Sequence, residues 1–171
     1  MTKYLLAIPI AFSLSASSCY AQDSTGLLRP PYKLTVLVDK KTSYEENLNE
    51  RPYVLPNRTL QLYAGETVFI EIDQTDGTIN QFKAVKEIKD SAKTLIISFR
   101  QIADHNVHQQ MILKIVNPLP FKIVYKASIF LLKQKRWVVT DVFPVMPGIS
   151  GMETWQDIIT SIGLGGWTLE K

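Results

Sequence analysis

Apolar and polar residues alternate with a period of two along most of this chain. The alternation is clearest between residues 111 and 132, where Met111, Leu113 and Ile115 fall on one face of the predicted strand. Successive side chains of a strand point to opposite faces of the sheet, so such alternation indicates half-buried strands. The same pattern recurs in the segments KLTVLVD, ETVFIEID, TLIISFRQI, VHQQMILKI, FKIVYKASIFL and RWVVTDVF.

Residues typical of turns separate these runs, and no convincing helical period appears before residue 150. Short strands with regular turn signals are typical of antiparallel sandwiches and barrels, whereas an α/β fold would need helices between its strands. The sequence therefore predicts an all-β fold: a single antiparallel β-sandwich of about eight strands. The turn segments are YAGE, DQTDGT, KDSAK and ADHN.

The segment NPLP, residues 117 to 120, joins two of the alternating runs. Proline cannot donate a hydrogen bond to a sheet, and it favours extended geometry in the residue before it. We therefore expect NPLP to end one strand and carry the chain across to the other sheet, rather than to form a tight hairpin.

Two segments depart from the alternation. Residues 40 to 58 are polar, charged and punctuated by proline, which predicts a long loop. The segment SGMETWQDIITSIGLGG predicts one short C-terminal helix, because Ser150 and Glu153 fit a capping box and Gly163 could end it. The apolar residues at helical spacing are Trp155, Ile158, Ile159 and Ile162.

The N-terminus has the composition of a secretory signal peptide. Lys3 precedes an apolar stretch that is too short to span a membrane, and small residues follow. Cleavage after Ala21 divides the chain into a signal peptide, residues 1–21, and a sandwich domain, residues 22–171. We therefore expect a periplasmic or secreted protein. Alternatively, ASSC resembles the lipobox of bacterial lipoproteins, in which case Cys19 would carry a lipid anchor.

Composition excludes several functions. The formal net charge is +3, and removing Lys3 with the signal lowers it to +2, without a basic stripe that would suit nucleic acid. Cys19 is the only cysteine, so cleavage would leave neither a disulfide nor a catalytic thiol. No apolar run long enough to span a membrane follows the signal.

The sequence offers little catalytic chemistry. Asp104, His105 and His108 lie close together, but two histidines on a strand three residues apart leave opposite faces, and no further ligand has motif spacing. No nucleophile elbow or recognisable triad is present. We therefore predict no catalytic residues, no metal site and no cofactor. A metal-dependent enzyme that uses the two histidines is the least favoured alternative.

Aromatic residues are the remaining candidates for binding. Tyr44 and Tyr53 lie in the predicted long loop, where their rings could stack on a glycan or pack against a protein. Their alternative role is to anchor the loop to the core. Trp155 could bind a partner from the predicted helix, although such apolar faces usually pack on their own core.

The run NPLPF, followed by a strand, FPVMP and a later tryptophan, resembles a run in periplasmic pilus chaperones. The resemblance covers about 40 residues, from Asn117 to Trp155. It implies an immunoglobulin-like type of sandwich, and we carry no functional residue over from it.

These observations predict a non-catalytic binding or assembly module of the bacterial cell envelope that acts through contacts with an unidentified protein partner. The prediction rests partly on elimination, because a fold alone does not determine a function. The main alternative is a module that binds carbohydrate or another small ligand, with Tyr44 and Tyr53 on a common surface.

Overall fold

The computed structural model describes residues 26–171, so the predicted signal peptide and Cys19 lie outside the described residues. Within residues 26–171 no helix is long and apolar enough to cross a membrane. A single turn of 3-10 helix spans Pro56–Arg58. The strands are β1 (Leu28–Arg29), β2 (Tyr32–Leu37), β3 (Ser43–Leu48), β4 (Arg51–Pro52), β5 (Val54–Leu55), β6 (Thr59–Tyr63), β7 (Glu66–Thr75), β8 (Thr78–Val85), β9 (Thr94–Asp104), β10 (Val107–Val116), β11 (Lys122–Leu131), β12 (Arg136–Thr140), β13 (Ser150–Trp155) and β14 (Ile159–Glu170).

Two five-stranded sheets pack together, which confirms the predicted all-β sandwich, although the two sheets contain ten strands rather than about eight. The first sheet has the strand order β13-β10-β9-β7-β8, and the second has the order β12-β11-β14-β6-β5. Every pairing within them is antiparallel. Two smaller pairs, β1 with β4 and β2 with β3, complete the described fold. The immunoglobulin-like type of sandwich is not confirmed.

The core is formed by the alternating faces that the sequence indicates. In β7, Val68, Ile70 and Ile72 are buried, whereas Thr67 is exposed. The corresponding faces of β9, β10 and β11 are buried in the same way. Because one face of each sheet packs on the other sheet, a strand shifted by one residue would expose its apolar side chains, and this fixes the register.

The NPLP segment connects the two sheets, as predicted. It follows β10 in the first sheet and precedes β11 in the second. Asn117 is fully buried, and its side-chain amide donates to the carbonyl oxygens of Phe121, Val145 and Met146 at 2.9, 3.0 and 3.0 Å. Its side-chain oxygen accepts from the backbone N–H of Leu119 at 3.0 Å. A single amide therefore joins this crossing to the connection between β12 and β13.

The predicted C-terminal helix is wrong, because its residues form β13 and most of β14. The spacing of Trp155, Ile158, Ile159 and Ile162 fits a helix, but strand pairing decides the outcome. β14 lies inside the second sheet between β11 and β6, where β-branched residues pack well. Glu153 does not cap a helix; its carboxylate accepts from the backbone N–H of Phe143 at 2.7 Å.

The long loop predicted for residues 40 to 58 is also wrong over much of its length. This segment contains β3, which pairs with β2 along six residues, and the short strands β4 and β5. Three successive residues of β3, Glu45 to Asn47, are exposed, so its sequence shows no alternation. Leu48 reaches the core from the end of the strand.

A buried ion pair joins the N-terminal end of the described chain to the sandwich. Arg29 is 1% exposed and binds the Glu66 carboxylate through Nε at 2.5 Å and Nη2 at 3.0 Å. The guanidinium lies over the rings of both Tyr53 and Tyr63, 4.6 and 4.8 Å from their centroids. Glu66 also accepts from the Tyr32 hydroxyl at 3.0 Å. Every oxygen of this buried carboxylate therefore has a hydrogen-bond donor.

Candidate functional site

Exposed hydrophobic side chains are concentrated in one stretch of the described chain. Six of the eight large exposed hydrophobic residues within 26–171 lie between 137 and 152. The two most exposed, Val139 and Phe143, have 77% and 79% of their surface accessible to water. We define the edge surface as the side chains of Val139, Phe143, Met146, Ile149 and Met152.

The edge surface follows one side of the sandwich. β12 and β13 are edge strands of the second and first sheets, and residues 141–149 connect them. Val138 packs on the core, so Val139 points out from the second sheet. Met152 is exposed on the first sheet beside its cross-strand partner Lys114. Val139 and Met152 therefore lie on the outer faces of different sheets, and the other three side chains lie on the connection between them.

The backbone of the connection is held in place. Val145 is 1% exposed and exchanges two backbone hydrogen bonds with Ile123 of β11, both 2.9 Å long. Asn117 holds the Val145 and Met146 carbonyl oxygens, and its own N–H donates to the Ile149 carbonyl oxygen at 2.9 Å. A side chain at Gly151 would collide with Val145, whose nearest atom lies 2.6 Å from an added Cβ. The exposed side chains are therefore presented on an ordered backbone.

Such a surface suits association with a protein rather than chemistry. Aromatic and Met side chains are enriched in protein interfaces, and three of the five side chains are Phe or Met. An ordered backbone reduces the conformational entropy that is lost on binding. No ionisable side chain belongs to the edge surface as defined.

The two tyrosines that the sequence predicts as binding residues have different surroundings. Tyr53 is half-buried, and its ring packs on the Arg29 guanidinium and on the core. Tyr44 lies on β3, where its hydroxyl donates to Glu46 at 2.7 Å. That hydrogen bond raises the pKa of Tyr44 to about 12. Both side chains pack against the core cluster, so the anchoring role has structural support; their role in ligand binding stays a prediction.

Raising the pH above about 10, the ordinary tyrosine pKa, should destabilise the fold. Burial, aided by the Glu66 charge, raises the pKa of Tyr32 and of Tyr53, and burial raises the pKa of Tyr125. Because these folded-state pKa values exceed those of the unfolded chain, the stabilisation is complete below pH 10 and is lost as the pH rises. Urea unfolding between pH 8 and about 12 would measure the decline. A free energy of unfolding that stays constant over this range would contradict the expectation.

Trp155, the third predicted binding residue, lies on β13 next to the edge surface. Its indole N–H donates to the Thr140 hydroxyl at 3.2 Å, which links the ends of β13 and β12. The ring is half-buried and packs against the core. Trp155 therefore helps to hold the ends of β12 and β13 together. Its contact with a partner stays a prediction.

The two histidines have different surroundings. His105 lies in the tight turn between β9 and β10, is 87% exposed, and has a left-handed backbone with φ of 47°. The ring of His108 hydrogen-bonds to the side-chain nitrogen of Gln101 at 2.8 Å and to the carbonyl oxygen of Gln156 at 3.0 Å. Within residues 26–171 no three His, Cys, Asp or Glu side chains are grouped to hold a metal ion.

The edge surface was not identified from the sequence. A signal was present in FPVMPGI, an apolar run punctuated by proline and glycine between two strands. A connection of this kind runs over the protein surface, so its apolar residues cannot all be buried. The sequence does not show which of them is inside, and only Val145 is buried among residues 143–149.

Comparison with known proteins adds no functional information. The chain matches no family model, and no curated protein or solved structure shows significant similarity to it.

Proposed function

We propose that this protein is a non-catalytic binding or assembly module of the bacterial cell envelope, periplasmic or secreted, which binds a protein partner through the edge surface. The observation that carries the proposal is the concentration of exposed apolar side chains between Val139 and Met152 on an anchored backbone. The proposal does not depend on the immunoglobulin-like type of sandwich. That type, the export signal and the lipid anchor at Cys19 stay predictions.

Burial of these side chains contributes to the driving force for association. Completely burying a side chain such as Phe143 or Met146 contributes about 1.5–3 kcal/mol relative to complete exposure. Five such side chains can offset much of the entropy lost when two proteins associate. Pro144 and Pro147 restrict the backbone on both sides of Met146, which further lowers that loss.

We propose side-chain contacts rather than the addition of a strand from the partner. β12 and β13, the edge strands on this side, have five and six residues. Short edge strands are one way in which proteins limit unwanted strand pairing. The apolar side chains extend beyond both strands into the connection, so they offer more contact than the free strand edges do.

Site-specific crosslinking in the native host tests this proposal. A photoreactive amino acid at position 143 should crosslink to one envelope protein. Phe143→Ser combined with Met146→Ser should then weaken binding of the purified partner about thirtyfold, as expected for the loss of a 2 kcal/mol hot spot. Phe143 is 79% exposed and Met146 is 50% exposed, so the double variant should unfold close to the wild-type temperature.

Ile88 provides a matched control, because it is an exposed hydrophobic residue outside the edge surface, between β8 and β9. A photoreactive group at position 88 should give no specific adduct, and Ile88→Ser should leave the affinity unchanged. Equal crosslinking from both positions, or unaltered binding by the double variant, would refute the proposal.

A further inference from the structure

A groove lies on the outer face of the second sheet, apart from the connection between β12 and β13. Its volume is about 490 Å³, within the range of about 300–1,000 Å³ that is usual for small-ligand sites. It crosses β14 in the middle of the sheet and is open to solvent. The residues that line it are Leu55, Thr59, Gln61, Lys126, Ser128, Trp137, Gly163, Gly165 and Gly166.

The strand register explains the shape of the groove. Gly163 of β14 is paired with Ser128 of β11 on one side and with Gln61 of β6 on the other. Gly165 is paired with Lys126 of β11. Outward-pointing side chains on β11 and β6 therefore form two walls, and the glycines of β14 leave a floor of bare backbone between them.

The fold does not require glycine at position 163. Its backbone is not left-handed, and an added Cβ would find its nearest neighbours at 3.9 Å, which is ordinary van der Waals contact. Glycine inside a strand weakens the strand, and it often marks a bulge, a tight bend or a place where a ligand or another backbone approaches closely. The two register shifts between β11 and β14 lie on either side of the pair Gly163 and Ser128, so no bulge accounts for this glycine. The space above Gly163 is therefore a feature of the groove that strand stability does not explain.

An aromatic ring from β12, the strand next to β11, packs beside the β11 wall. Trp137 is 47% exposed, and its ring centroid lies 5.6 Å from that of Phe130 in an edge-to-face arrangement at 66°. Such pairs are favourable beyond the area that they bury. The six-membered ring of the indole would lie 3.9 Å from a Cβ added at Gly163, so Trp137 borders the floor directly.

Apart from the apolar side chain of Leu55 and the three glycines, the remaining lining groups are polar, and their charge has one sign. Lys126 is exposed and is the one charged residue that lines the groove in the described part of the chain. Gln61 donates its side-chain amide to the Ser161 hydroxyl at 3.1 Å, which orients the amide at the edge of the floor. Thr59 and Ser128 add hydroxyl groups that can both donate and accept hydrogen bonds.

We propose that this groove binds an acidic saccharide. The carbon-bound hydrogens on one face of a pyranose form an apolar surface that fits the Trp137 ring. Its hydroxyl groups leave from the rim of the sugar ring, where Gln61 and Ser128 offer donors and acceptors. Lys126 pairs with a carboxylate on the sugar, and such charge-assisted hydrogen bonds are the stronger ones.

This groove is not the carbohydrate site that the sequence predicts. That prediction used Tyr44 and Tyr53, and neither residue lines this groove. The inference is also independent of the proposed protein partner, because none of the five edge-surface side chains lines the groove. Val139 is the cross-strand partner of Ser128, which lines the groove, so the two sites adjoin at β12 and are best separated with variants at Phe143 and Met146.

The test is an array of acidic and neutral oligosaccharides, probed with the folded domain and followed by calorimetric titration. Tetragalacturonate and its neutral counterpart galactotetraose form the first matched pair. We expect retention of acidic glycans above neutral ones. Trp137→Ala should weaken binding about tenfold or more, and Lys126→Gln about two- to fivefold for the acidic glycan only.

Gly163→Val is the decisive variant, because it fills the floor of the groove and suits a strand better than glycine. It should abolish glycan binding while the unfolding temperature stays equal or rises. Gly163→Ala, whose Cβ fits without a clash, provides the same test if the valine variant does not fold. Lys114→Gln removes an exposed lysine from the first sheet and should leave binding unchanged.

Several results would overturn the inference. One is an array on which no acidic glycan is retained above the neutral ones. Another is binding that survives Gly163→Val in a folded protein. Binding that falls equally with Lys114→Gln and Lys126→Gln would show attraction to general surface charge instead of this groove. Because Phe143→Ser should not alter glycan binding, failure of the protein-partner proposal would remain distinguishable.

Discussion

Replacing Arg29 by Met should lower the free energy of unfolding by about 3–5 kcal/mol, the usual cost of removing one partner from a buried ion pair. The arginine is 1% exposed and binds both oxygens of Glu66, which is itself buried. Without it, the carboxylate keeps only the Tyr32 hydroxyl and the Tyr63 N–H as donors. Its charge would then lie among apolar groups with no opposite charge beside it.

The loss would be a large part of the stability of an ordinary domain, which is about 5–15 kcal/mol in total. The guanidinium also donates to the Gln61 carbonyl oxygen at 2.8 Å and packs on two tyrosine rings. Met can fill part of that space, so the expected loss comes mainly from charge and hydrogen bonding. Urea unfolding at pH 7 measures the free energy directly.

Two comparisons separate this effect from a general loss of charge. Lys33→Met breaks the exposed pair with Glu45, whose atoms are 2.8 Å apart, and should cost less than about 1 kcal/mol. Adding Glu66→Gln to Arg29→Met should recover part of the loss, because no net charge is then left buried. An Arg29→Met protein as stable as the Lys33→Met protein would show that the buried pair contributes little.

The sequence predicts the sandwich well because most of its strands are buried on one face. In β7 and β11 the pleat places every second side chain in the core, so a period of two is visible directly. In β14 a period of two is not visible, and the sequence alone does not identify the strand. Its residues Ile159 to Ile162 are all buried, so the pattern loses its alternation, and the isoleucines fit helical spacing equally well.

Other features depend on contacts between distant residues and leave no local signal. Arg29 and Glu66 are 37 positions apart, and nothing beside either residue indicates that they pair. The groove requires Gly163 to lie between Ser128 and Gln61, which follows from the strand order and not from any one segment. Burial of Arg29 also reverses the usual expectation that arginine is exposed.

The binding residues, too, are only partly predictable from the local sequence. The sequence indicated aromatic residues as binding groups, but it could not tell Trp137, which is half-exposed, from Trp167, which is 7% exposed and stacks on Tyr125. Both lie in strands. The difference arises because β12 is an edge strand with an outward-facing Trp137, whereas Trp167 points from β14 into the space between the sheets.

Asn117→Ala should lower the free energy of unfolding by about 2–4 kcal/mol and loosen the backbone of the edge surface. The amide makes four hydrogen bonds to backbone groups, and a hydrogen bond contributes about 1 kcal/mol net, or more where a buried group loses its partner. Two of the four hold the carbonyl oxygens of Val145 and Met146. The variant should therefore affect both stability and the protein contact that we propose.

Hydrogen exchange resolves these two effects. The Val145 N–H, which donates to Ile123 at 2.9 Å, should exchange faster in Asn117→Ala under conditions where the core of β9 remains protected. Asn80→Ala is the matched control, because Asn80 is exposed and its amide makes one hydrogen bond, to Thr75. It should change the free energy of unfolding by less than about 0.5 kcal/mol.

The combination of readouts links fold to function at this single residue. If Val145 exchanges faster and crosslinking from position 143 falls while the protein remains folded, the ordered backbone is part of the binding surface. If Val145 exchanges faster and crosslinking does not change, the apolar side chains bind without that order, and preorganisation is not needed. Unchanged exchange at Val145 would mean that the pairing with Ile123 alone fixes the connection, and that Asn117 serves only the NPLP crossing.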